Sequence, residues 1–164
     1  MRVKAVMHHA PPVDEPAART MRPATSIRVS IMHALILDDE AAIGRVICRV
    51  ARSVGFTAEA VSDAADFQLQ YSREQPDIIL LDLQIGGDDG IAQLRFLAAQ
   101  GYPHSVILMS GYDERVLSSG ERLGRDLGLD ILTSLTKPFG AKELAAVFEQ
   151  LVARPTHSNA APPR

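Results

Sequence analysis

Several absences narrow the class of this chain before any motif is read. It has one cysteine, Cys48, so no internal disulfide framework exists and a reducing, cytoplasmic compartment is expected. Lys and Arg number 17 against 20 Asp and Glu, a net charge of −3. That balance offers no basic surface for nucleic acid or for an anionic membrane. No apolar run approaches the length of a membrane span. The N-terminal "MRVKAVMHHAPPVDEP" carries basic residues without an apolar core segment, so it does not read as a secretory signal. No internal repeat is visible.

What is present is enough for a core. Hydrophobic residues make up 46% of 164 positions, which fits one domain with spare length. The spare length lies at the ends. Residues 1–32 are rich in Pro, Ala and Arg and show no sustained period, and residues 154–164, "RPTHSNAAPPR", are similar. Both are expected to be poorly ordered arms around a domain at 33–153. His8 and His9 lack further ligands nearby and read as ordinary polar residues.

The middle alternates. Short apolar runs are followed by stretches with helical spacing, five times over: "HALILDDE", ending in acid, "FTAEAV", "DIILL", "SVILMS" and "LDILTSL" each precede an amphipathic segment. Ile43, Ile47, Val50 and Val54 mark the first helix, with Gly55 as its stop. Ala64, Phe67 and Tyr71 mark the second. Ile91, Leu94 and Leu97 mark the third, ended by Gly101. Val116, Leu123 and Leu127 are expected inward on the fourth, and Leu144, Val147 or Phe148, and Leu151 on the last. Such alternation predicts a doubly wound, parallel α/β sheet covered on both faces. Cys48, on the first helix, reads as a packed thiol.

Sites in open parallel sheets form beyond the carboxyl ends of the strands. The informative polar residues fall there: Asp38 and Asp39 after the first strand, Asp82 after the third, Ser110 after the fourth, Lys137 after the fifth. A carboxylate at the tip of a buried strand costs several kcal/mol to desolvate, so Asp82 calls for a purpose. If the first and third strands are neighbours, the carboxylates converge, and a cation must join them. All-oxygen ligation suits Mg²⁺ or Mn²⁺. Lys137 adds fixed positive charge and Ser110 a hydroxyl donor, which together suit a dianionic group on a carboxylate nucleophile. A plainer reading makes Asp38 and Asp39 helix caps, which explains one of them. Asp88 reads as a solvated loop charge, and Asp89 with Gly90 as the start of the next helix.

The segments "LILDDE", "IILLDLQIGGDDG", "VILMSG" and "LTKPF", in this order and spacing, resemble the response-regulator receiver domain of two-component signalling over about residues 33–153. The resemblance implies a flavodoxin-like sheet in order 2-1-3-4-5. It implies that Asp82 is the phosphoacceptor, Asp39 a direct metal ligand, Asp38 a ligand through water, and the Gln84 backbone carbonyl a further ligand. Lys137 would contact the phosphoryl group, Ser110 would turn toward it, and the bond before Pro138 would be cis. The implied partners are a histidine kinase or phosphotransfer protein and an unnamed downstream protein, with a homodimer also compatible. Beyond Mg²⁺-dependent self-phosphorylation and autodephosphorylation, no enzymatic activity is expected.

There are departures. Ile85 and Gly86 stand where receivers usually carry Met-Pro. Ser134 stands at the switch position where many receivers carry an aromatic residue. "ERLGRDLGLDILTSLTKPF" is similar to receivers fused to cyclic-di-GMP phosphodiesterase domains. The expectation is a stand-alone receiver that signals by protein contact. A pseudo-receiver that never carries phosphate and an aspartate-nucleophile phosphatase are the rivals. The first conflicts with the intact Asp38, Asp39, Asp82, Ser110 and Lys137 set. The second usually places D-x-D on the first strand. The fourth helix, with Arg115, Arg122 and Arg125, is expected to join the last strand and helix in the partner surface.

Overall fold

The computed structural model describes residues 31–86, 89–111 and 114–154. Of the expected arms at 1–32 and 154–164, residues 1–30 and 155–164 lie outside the described residues, as does Asp88; Met32 packs against the core and Arg154 pairs with Asp130 at 3.1 Å. Strands and helices alternate: β1 His33–Leu37, α1 Ala41–Ser53, β2 Thr57–Val61, α2 Ala64–Glu74, β3 Ile78–Asp82, α3 Asp89–Ala99, β4 Ser105–Ser110, α4 Glu114–Asp126, β5 Asp130–Thr136 and α5 Ala141–Ala153. All neighbouring strands pair in parallel, in the order β2-β1-β3-β4-β5.

The continuous apolar runs of β1, β3 and β4 follow from burial on both faces. Successive side chains point to opposite faces. Ala34, Ile36, Ile78, Leu80, Ile107 and Met109 pack with Ile47 and Val50 of α1 and with Leu144 and Phe148 of α5. Leu35, Leu37, Ile79, Leu81, Val106 and Leu108 pack with Phe67 of α2, Leu94 and Leu97 of α3 and Leu117 of α4. Cys48 is buried in the first of these cores.

Three helices stop in the same way. After α1, α3 and α4, Gly55, Gly101 and Gly128 take positive φ, and the next residue's N–H reaches back five positions, as from Phe56 to the Ala51 carbonyl. This is the Schellman closure.

One expectation fails on α4. Leu127 does not point inward; it is exposed, in the turn after the helix has ended at Asp126. The buried positions are Leu117, Gly120 and Gly124, flanked by half-buried Val116 and Leu123. A Cβ on Gly120 would stand closer than 3.0 Å to Leu83, and one on Gly124 closer than 3.0 Å to Ile131. Glycine here is a seat for a neighbouring side chain, so the inward face carries less apolar signal than its burial implies.

A register shift between Val106 and Ile107 adds a residue to β5 opposite them. The extra residue slips the alternation of β5 by one. Ile131 faces α4, and Ser134, three residues on, faces α4 as well.

Candidate functional site

The carboxyl ends of β1, β3, β4 and β5 meet above the sheet. β1 and β3 are neighbours, although β2 and two helices lie between them in sequence, and this brings the acids after them together. The chain is held in place there by backbone bonds that cross between strand ends. Leu83 N–H donates to the Met109 carbonyl at 2.9 Å, and Lys137 N–H donates to the Ser110 carbonyl at 2.8 Å. The Lys137–Pro138 peptide is cis.

Asp38, Asp39 and Asp82 each offer a carboxylate oxygen within 4.8 Å of the other two. Asp38 and Asp82 are buried at 1% and 3% exposure, whereas Asp39 is exposed. Neither Asp38 nor Asp39 is the N-cap of α1. That position is Glu40, which makes no side-chain cap bond. Asp38 Oδ1 instead accepts from the Glu40 N–H at 2.9 Å. Helix capping therefore leaves the pair of aspartates unexplained.

Lys137 reaches into the cluster. Its Nζ lies 2.8 Å from Asp38 Oδ2 and 2.6 Å from Asp82 Oδ2, with Glu40 Oε1 at 3.4 Å. Burial opposes the charge on Lys137, but Asp38 and Asp82 outweigh it and raise its pKa. The side chain is thus a permanent cation at neutral pH. Burial dominates at Asp38 and lifts its pKa above the ordinary aspartate value, against the pull of Lys137 and the Glu40 N–H. One lysine does not offset this many close acids. Such a hard, all-oxygen donor set fits a small divalent cation, and Asp38, Asp39 and Asp82 are the side chains that would hold it.

Asp82 is held at both oxygens: Oδ1 accepts from the Gln84 N–H at 2.8 Å, and Oδ2 faces Lys137. Ser110 is fully buried, and its hydroxyl has no partner among the described residues. Leu83 and Ile85 are both buried, which anchors residues 83–85 directly after Asp82.

Sequence reasoning singled out the residues at the strand ends but passed over three contacts around them. Glu40, the third acid of "LILDDE", lies within reach of Lys137. The Gln84 side chain accepts from the Gly111 N–H at 2.6 Å and ties the loop after β3 to the loop after β4. Ser134 donates its hydroxyl to Glu121 on α4. Only the first left a trace in the sequence, as a run of acids.

A family model described as the response regulator receiver domain matches residues 34–149. The chain is 30% identical over 139 residues to the alkaline phosphatase synthesis transcriptional regulatory protein SphR of Synechococcus elongatus, across 79% of this chain and 52% of that protein. It is 32% identical over 125 residues to the cyclic di-GMP phosphodiesterase RocR of Pseudomonas aeruginosa, across 75% and 32%. The chain thus spans about half, or less, of the length of these relatives. Among solved structures, a response regulator from Colwellia psychrerythraea matches with a TM-score of 0.68 at 33% identity, covering 77% of this chain and 100% of that one. The receiver domain of NtrX from Brucella abortus, at 24% identity and a TM-score of 0.64 over 73% and 98%, shares the fold. No helix among the described residues is long and apolar enough to cross a membrane. Sheet order, site geometry and these matches agree: the chain belongs to the response regulator receiver domain family.

Proposed function

We propose that Asp82 accepts a phosphoryl group from a histidine kinase or phosphotransfer protein, and that the phosphorylated domain signals by contact with another protein. The observation that carries this reading is the setting of Asp82. It is a buried carboxylate 2.6 Å from a buried lysine, in a cluster of acids within 4.8 Å of one another. In the transfer, an Asp82 oxygen forms the new P–O bond as the P–N bond of a phosphoimidazole breaks. The bonding pair returns to the ring nitrogen. The site trades one negative charge for two, which requires compensation.

Lys137 supplies fixed positive charge at Asp82 Oδ2 and needs no proton change to do so. The Gln84 N–H orients the other oxygen. The Ser110 hydroxyl, which has no partner among the described residues, donates to a phosphoryl oxygen, a charge-assisted bond stronger than a neutral one. Asp38, Asp39, Asp82 and the Gln84 carbonyl would hold Mg²⁺ or Mn²⁺, with Asp38 acting through water. When bound, the ion adds charge that neutralises the phosphoryl oxygens. The functional unit is residues 33–153, and the protein works in the cytoplasm.

The test uses a small-molecule acyl phosphate and intact mass. Labelling should require Mg²⁺ and stop at one phosphoryl group per chain. Turnover of a chromogenic phosphate ester, with no stable label, would instead place the protein among aspartate-nucleophile phosphatases. Absence of label with Mg²⁺ bound would make it a pseudo-receiver.

A further inference from the structure

The outer edge of the sheet carries a groove that the reading of Asp82 does not use. β2 is an edge strand, and a cavity of about 780 Å³ lies along it between α1 and the start of α2. That volume suits a small organic ligand. Its wall extends from Asp38 at the strand ends to Arg52 near the end of α1. At its floor α1 comes close to β2: a Cβ on Gly44 would stand 2.9 Å from the Ala60 Cβ, so only small side chains fit there.

One wall is cationic. Arg45, Arg49 and Arg52 line the groove from α1, at spacings of four and three that put them on one helix face. α1 contains no Asp or Glu. Arg45 and Arg49 make no hydrogen bond or ion pair among the described residues, and Arg52 donates one bond, to the Ala58 carbonyl at 2.7 Å. On α4, by contrast, Arg122 and Arg125 pair with Asp126 and Glu121 one turn away. The arginines of α1 repel one another instead, a cost that an anion in the groove would remove. The facing wall has the opposite character. Glu59 of β2 and Asp66 and Gln70 of α2 line it, and no ion pair joins these acids to the arginines. They are acceptors for amino and hydroxyl groups, and an edge strand adds unpaired backbone groups.

A ligand that satisfies both walls carries phosphates at one end and a hydrogen-bonding ring and hydroxyls at the other. Guanidinium forks pair with phosphate oxygens and stack on flat rings. Arg45 and Arg49 stand ~6 Å apart along the helix axis, a span that brackets two linked phosphates. We propose that this groove binds a nucleoside diphosphate, with its phosphates on Arg45, Arg49 and Arg52 and its base and ribose toward Glu59, Asp66 and Gln70. The inference goes beyond the phosphoacceptor reading and does not depend on it.

Calorimetric titration of the full chain with ADP, GDP, CDP and UDP tests this, in chelator so that no metal bridges a phosphate to the aspartates. At least one should bind saturably, and the matching nucleoside and inorganic pyrophosphate should each bind at least tenfold more weakly. Arg45→Ala and Arg49→Ala should each weaken binding by about tenfold, the scale of one charge-assisted hydrogen bond at an exposed site. Arg49→Lys, which keeps the charge and loses the fork, should weaken it less. Neither Ala variant should lower the urea midpoint, because neither side chain bonds to the rest of the fold. No saturable binding, or binding that both Ala variants leave unchanged, would overturn the proposal. Pyrophosphate as tight as the diphosphate would overturn it too, leaving an anion contact only. Loss of binding that tracked a lowered urea midpoint would make the arginines structural and overturn it equally. None of these outcomes touches the labelling of Asp82.

Discussion

Asp39→Asn should make the metal-free protein more stable. Asp39 is exposed, so its charge costs little to keep in water. It lies within 4.8 Å of Asp38 and Asp82 and makes no ion pair among the described residues, since Lys137 is engaged by Asp38, Glu40 and Asp82. What its charge adds is repulsion. At that distance, each unit-charge pair costs ~0.9 kcal/mol even in bulk water, or ~1.7 kcal/mol for two. A screening length of ~8 Å at physiological salt roughly halves this, leaving a gain of about 1 kcal/mol. In urea unfolding with a chelator present, the variant's midpoint should rise by roughly 0.5 M. The gain should grow at low salt and shrink at high salt. Mg²⁺ should reverse the order, because a ligand at 100 times its Kd stabilises by about 2.7 kcal/mol and the variant has lost a carboxylate to bind it. A variant less stable than wild type in chelator, or a difference indifferent to salt and to Mg²⁺, would refute the convergence of charges on which the site rests.

Lys137→Met should cost about 3 kcal/mol in metal-free urea unfolding at neutral pH, because it strands two buried carboxylates without a cation. Asp38→Asn should gain on wild type as pH rises. The folded state binds the Asp38 proton more tightly than the unfolded state does, so its charge is a penalty that begins near the ordinary value of 3.8 and is complete above the raised folded value. Unfolding of both proteins across that range in chelator checks the trend. Gly120→Val should destabilise by about 2 kcal/mol in urea unfolding and displace Leu83, because its side chain would enter the space Leu83 fills. A chain starting at Met32 should unfold cooperatively and accept phosphoryl like the full chain. The Met32 carbonyl already accepts from the Thr57 N–H at 3.0 Å, and the Met32 side chain packs on the core.

The parts of this molecule legible in the sequence are those written in local pattern. β3 reads as a strand because four apolar residues precede Asp82, and α1 and α3 end where Gly55 and Gly101 permit a left-handed turn. Asp38, Asp39, Asp82, Ser110 and Lys137 could be picked out together because a parallel sheet gathers its strand ends on one side. The hidden parts depend on tertiary register. Ser134 faces α4 only because one residue is inserted in β5, and strict alternation from Ile131 would have turned it to the other side of the sheet. Gly120 and Gly124 are buried on α4 by what they lack, and an apolar periodicity cannot register a missing side chain. Leu127 keeps the helical spacing, but the helix ends at Asp126 and Leu127 lies in the turn that Gly128 closes. The Gln84–Gly111 bond joins residues 27 apart and leaves no local mark.

The nucleophile proposed for phosphoryl transfer is Asp82 itself. Wild type and Asp82→Asn, each incubated with Mg²⁺ and a small acyl phosphate, can be reduced with borohydride, digested and mapped by peptide mass. One reduced acyl site, at Asp82, is expected in wild type and none in Asp82→Asn. Undiminished labelling of Asp82→Asn, or a modified residue elsewhere in wild type, would contradict that assignment.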